Sequence, residues 1–130
     1  MSDEKLKYFY EFAPVAYHSL DEAGCLIDVN PFWLRTLGYN RDEVLGQPLE
    51  KFLPQFYREQ FKTMFPKLKT TGEITNIHLE LIRKDGVEIS VQIEGQIEKD
   101  SHGDFVRTHC ILSDITLLKR SESLLRHTFD

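Results

Sequence analysis

The chain has 130 residues, a formal net charge of −5, 41% hydrophobic and 12% aromatic residues. That is the length of one domain with enough apolar material for a core, which excludes general disorder, and the acidic balance argues against nucleic-acid binding, which needs a basic patch. No apolar run approaches the ~20 residues of a membrane span, the first residues lack the unbroken apolar stretch of a secretory signal, and Cys25 and Cys110 make no disulfide framework, so the expected setting is the cytoplasm.

Residues 3–12 read as a short amphipathic helix with Leu6, Phe9 and Tyr10 on one face, ended by Pro14. Residues 15–20 and 25–29 are strand candidates joined by the turn Asp21-Glu22-Ala23-Gly24, a hairpin. Asn30-Pro31 starts a helix, because Asn caps the free N–H groups of a first turn and Pro suits its first position; Gly38 ends it. Asn40 and Glu43 form a second start, a capping-box variant running toward Gly46, and residues 49–52 add one more turn.

The longest helical pattern covers 54–71. Tyr57, Phe61, Met64, Phe65 and Leu68 make one stripe, and Pro66 predicts a kink or break near 62–66, since it lacks an N–H and crowds the Lys62 carbonyl. Beyond Gly72 the period changes to two. Residues 74–83 alternate only partly, Lys84-Asp85-Gly86 is a hairpin turn, and residues 87–98 alternate cleanly with Val87, Ile89, Val91, Ile93, Gly95 and Ile97 on one face. Asp100–Gly103 is another turn, residues 104–115 a last strand, and the tail returns to helical spacing with Ile115, Leu118, Leu125 and Phe129 near one seam, interrupted by Glu122. Segregated runs of strands and helices of this kind predict an α+β fold with an antiparallel sheet.

Taken in order, these motifs resemble a PAS domain, the small sensory module of bacterial signalling proteins. The stretch FAPVAYHSLDEAGCLIDVNPFWLRTLGYNRDEVLG is similar to the family's first half, Lys84-Asp85-Gly86 to its middle turn, and Ser113-Asp114-Ile115-Thr116 to its "D-I-T" ending. The resemblance covers roughly residues 5–116. It implies a five-stranded antiparallel sheet in order 2-1-5-4-3 with short helices on one face. It divides the chain into a flanking helix (1–12), the sensory domain (13–116) and a C-terminal signalling helix (117–130). It also implies a homodimer, neighbouring PAS or effector domains such as a histidine kinase or diguanylate cyclase in a longer protein, and a place in two-component or related signal transduction. SESLLRHTFD, like LKYFYEFAPV, resembles the lead-in to such a domain.

The residues admit little chemistry of their own. Flavin-binding relatives carry a reactive Cys where this chain has Gly46-Gln-Pro-Leu-Glu-Lys-Phe-Leu-Pro54, without Cys or Arg, and haem-binding relatives place a His on the long helix, which here has none. Cofactors therefore stay unassigned, with flavin adduct and haem disfavoured. The five histidines read as surface or rim residues, no metal-ligand spacing occurs, both cysteines read as small buried hydrophobes, and no nucleophile elbow, glycine-rich phosphate loop or other catalytic motif is present. What remains is a possible small organic ligand, apolar rather than anionic, with Phe56, Phe61, Met64, Phe65, Leu79, Val91, Ile93, Thr108 and Cys110 as candidate lining. Gly95 would leave room beside the sheet. Asp114, Ile115 and Thr116 are expected to relay a change into the exit helix, and Leu6, Phe9, Tyr10, Leu118 and Leu125 to form a dimer contact. The alternative is a ligandless dimerisation module, separated from the sensor by whether an internal cavity exceeds a water or two.

Overall fold

The computed structural model describes residues 15–129. The predicted helix over 3–12, with Leu6, Phe9 and Tyr10, lies outside the described residues. The chain runs through β1 (Ala16–Leu20), β2 (Leu26–Val29), α1 (Pro31–Leu37), α2 (Arg41–Val44), a 3-10 turn (Leu49–Phe52), α3 (Gln55–Thr71), β3 (Glu73–Ile82), β4 (Glu88–Lys99), β5 (Phe105–Asp114) and α4 (Thr116–Phe129). The five strands form one antiparallel sheet in the order β2-β1-β5-β4-β3, as the resemblance implies.

Local chemistry explains the elements. In the β1–β2 turn, Asp21 Oδ1 accepts from the N–H groups of Ala23 and Cys25, both at 2.9 Å, and Gly24 takes φ +84°, a conformation that costs glycine nothing. Asn30 does more than cap α1: its Oδ1 accepts from Trp33 N–H (3.0 Å) and Tyr17 N–H (2.9 Å), while its Nδ2 donates to the Val15 carbonyl (2.8 Å). One side chain thus sets the helix start and ties it to β1. Glu43 closes the α2 start through Asn40 N–H (2.9 Å) and accepts Lys84 Nζ from the β3–β4 turn (2.9 Å).

Two sequence expectations change, at Pro66 and Val87, and the partial alternation of β3 finds its cause. α3 continues unbroken through Pro66. Pro66 is exposed, so the Lys62 carbonyl that loses its donor lies on the solvent side, where water can replace it. β3 alternates only partly because it contains a bulge: Ile74 pairs with Gly95 and Ile77 with Ile93, leaving Thr75 and Asn76 opposite Glu94, with Asn76 at φ +52°. Two residues where one would fit return Ile77, Leu79 and Leu81 to the face of Ile74. Val87 stands outside β4 and is exposed.

The core lies between the sheet and one helical layer. Trp33, Leu37, Val44, Leu49, Phe52, Leu53, Phe61 and Phe65 face Leu26, Val29, Ile74, Leu81, Val91 and Leu112 across it. Trp33 and Phe52 meet edge to face at 6.4 Å between ring centroids, an arrangement favoured by the ring quadrupoles.

Candidate functional site

Strand β5 joins two features, a core cavity under α3 and the junction from β5 into α4. The cavity measures about 30 Å³, close to the volume one water occupies in the liquid. Phe61, Met64, Phe65 and Leu68 of α3 close one side, with the Phe61 and Phe65 rings stacked at 5.2 Å. His18, Ile93, Thr108 and Cys110 form part of the sheet side. Gly24 abuts the α3 wall, since a Cβ built on it would lie 3.4 Å from Phe61 Cε1.

Seven of the nine residues proposed as lining lie around this cavity: Phe61, Met64, Phe65, Leu79, Ile93, Thr108 and Cys110. Phe56 does not. It is 68% exposed and stands edge-on to the Tyr57 ring, because it falls one residue off the inward stripe of α3. Val91 is fully buried, yet it is absent from the cavity wall. Gly95 leaves no room: a Cβ there would lie 2.1 Å from the His109 carbonyl oxygen and 2.9 Å from Cys110 Cα. The glycine allows β4 and β5 to approach closely.

The residue missed by sequence reasoning is His18. It is 1% exposed, stands edge-on to Trp33 at 6.5 Å, and its Nδ1 has no hydrogen-bond partner among the described residues. The signal was available: strict alternation in β1 puts His18 on the face of Ala16 and Leu20. Burial holds its imidazole well below the usual 6.5, at about 4, so it is neutral at ordinary pH. Burial also pushes the Cys110 thiol up to about 11, keeping it protonated and unreactive. Cys25 is only half-buried and precedes β2, bridging to Pro48. His109 occupies the opposite sheet face, between Tyr17 Oη and Glu98 Oε1 at 2.6 Å each. His78 and His102 are exposed, and no group of three metal-ligating side chains occurs among the described residues.

At the junction, Thr116 N–H donates to Asp114 Oδ1 (2.9 Å) and Thr116 Oγ1 accepts from Ser90 N–H (3.0 Å). Ile115 N–H donates to the Ser90 carbonyl (2.8 Å), and its own carbonyl accepts the first helical bond, from Lys119 N–H (2.9 Å). The base of α4 is therefore fastened to β4 as well as to the end of β5. Leu117 and Leu118 project from it, 77% and 57% exposed. No described helix is long and apolar enough to cross a membrane.

The family described as PAS domain matches residues 14–117. This chain belongs to the PAS domain family. The PAS domain is 31% identical over 113 residues to Phosphoserine phosphatase RsbP of Bacillus subtilis (strain 168), an alignment covering 85% of this chain and 27% of that protein. The chain spans about a quarter of that relative's length. A PAS domain of an HTR-like protein from Haloarcula marismortui superposes with a TM-score of 0.74 at 26% identity, covering 86% of this chain and 90% of that one. A PAS domain from Colwellia psychrerythraea reaches 0.78 at 19% identity over 87% and 96% of the two chains, a likeness of fold. The PAS domain described here is thus a sensory module of the signalling type, a class that is generally non-catalytic.

Proposed function

We propose that this PAS domain is a regulatory input module of a longer signalling protein, in which a change at the core cavity passes along β5, through Asp114-Ile115-Thr116, into α4 and on to an effector. The observation that carries this reading is the continuity of β5. Thr108 and Cys110 line the cavity, and four residues beyond Cys110 the same strand ends in Asp114, whose carboxylate holds Thr116. The relative named as a phosphatase supports a place beside a signalling enzyme. In the longer protein, Asp114→Ala with Thr116→Val should leave the effector's output fixed at one level. Output that still varies over the wild-type range would overturn the relay.

A second reading is a ligandless dimerisation module. It is favoured by the water-sized cavity and by the exposed Leu118 on α4. Leu118→Glu with Leu125→Glu should then dissociate the dimer in sedimentation analysis. A monomer–dimer constant unchanged by both substitutions would remove the idea.

A further inference from the structure

The outer face of the sheet carries an open groove of about 500 Å³, within the size range of small-molecule sites. Ile74 and Ile111, the latter 44% exposed, give it apolar surface. One wall is aromatic: the Tyr17 and His109 rings stack 27° from parallel with their centroids 6.0 Å apart. That wall is fixed by hydrogen bonds. Burial, with Asp28 nearby, raises the Tyr17 phenol, so Oη keeps its proton and donates it to His109 Nδ1. The imidazole proton then lies on Nε2 and is donated to Glu98, each bond 2.6 Å long. The chain of three side chains runs diagonally across β1, β5 and β4, strands held in register by their ladders. The rings are therefore ordered before any guest arrives, which lowers the entropy lost on binding.

The charged groups of the groove have one sign. Glu73 and Glu94 line it, both exposed, and no Lys or Arg does so among the described residues. Glu73 pairs with Gln96, two residues from Glu94, so the two carboxylates are diagonal neighbours across β3 and β4 and within reach of one cationic group. Neither takes part in an ion pair among the described residues; Glu94 accepts the Gln92 side-chain amide at 2.9 Å. An anion entering the groove meets like charges, on a chain whose net charge is already −5. A cation meets carboxylates and aromatic rings, both of which attract it. We infer that this groove is a binding site for a small organic cation with a flat apolar body, its charge held by Glu73 and Glu94 and its body laid against Tyr17, His109 and Ile111.

The test uses three probes of one shape and different charge, benzamidine, benzamide and benzoate, titrated at millimolar concentration into the whole chain. Binding is followed through the backbone amide resonances of Gln96 and Ile111, which line the groove. The indole N–H of Trp33, the single tryptophan, is fully buried and serves as a reference that should stay in place. Benzamidine should bind about 3- to 10-fold tighter than benzamide, the range of two partly solvated charge contacts, and benzoate should not bind. The preference should shrink as salt is raised. In the double variant Glu73→Gln with Glu94→Gln, two exposed positions where the substitution keeps the fold, benzamidine and benzamide should bind alike. Equal binding of those two probes to the wild type, or any binding of benzoate, overturns the cationic class. A preference that survives the double variant overturns the role of Glu73 and Glu94. Movement of the Trp33 resonance along with the others places the probe in the core and overturns the site. If no probe moves Gln96 or Ile111, the groove holds no ligand of this class and the inference falls. None of these outcomes bears on the β5 relay, which is tested by the Asp114 and Thr116 variants.

Discussion

Lowering the pH should destabilise this domain through His18 in a way that one substitution removes. The imidazole has an ordinary value of 6.5 and is held at about 4 by burial in the fold. The unfolded chain therefore binds a proton on this ring between those two values while the native state does not, and stability rises with pH across that window. The contribution is fully present above about pH 6.5 and is lost progressively as the pH falls toward 4. At about 1.4 kcal/mol for each pH unit of difference, the full effect is about 3 kcal/mol, a large part of the 5–15 kcal/mol typical of a domain. Carboxylates add their own acid sensitivity. Backbone hydrogen bonds, with Lys84 and Arg83 beside them, hold Glu43 and Asp85 below the usual carboxylate range. The quantity to compare is thus the difference between wild type and His18→Leu in urea unfolding at pH 7.5 and pH 4.5. The leucine variant, similar in volume and free of a titrating group, should lose about 2–3 kcal/mol less on acidification. Equal losses in the two proteins would show that His18 is not the buried neutral group described.

Other substitutions probe the framework around the site. Gly95→Ala should cost about 3 kcal/mol in thermal or chemical unfolding, because its Cβ would collide with the backbone of β5 at His109. Asn30→Ala removes the cap of α1 and the bonds to Tyr17 and Val15 and should cost about 2–3 kcal/mol; a loss under 1 kcal/mol would mean that water replaces those bonds. Thr116→Val in the isolated domain should cost about 1 kcal/mol and speed amide exchange at Ser90, whose N–H loses its acceptor.

Much of this architecture was legible in the sequence, because its signals are local. Asn30-Pro31, the Asn40 and Glu43 pair, Lys84-Asp85-Gly86 and the alternation of β4 each specify their element through a few neighbouring residues. What could not be read depends on strands far apart in the chain. The bulge at Thr75 and Asn76 is defined by the register with β4, and Gly95 looked like spare room until β5 was seen against it. Pro66 misled because its cost depends on which side of α3 meets water. Phe56 and His18 are of another kind. The stripe on α3 excludes Phe56 and the alternation of β1 turns His18 inward, so at both positions periodicity decides the placement against residue type.

The double fastening of α4 to Ser90 gives the domain a mechanical advantage. The helix is anchored at two neighbouring strands about 4.8 Å apart, and its 14 residues extend about 21 Å at 1.5 Å each. A slide of about 1 Å between β4 and β5 turns the line through the two anchors by about 12°, by the strand spacing alone. Carried along the helix, that rotation moves its far end by about 4 Å. Under the proposed relay, a displacement no larger than a repacked side chain at the cavity would swing the far end sideways by about 4 Å, with the bonds at Ser90 as the fulcrum.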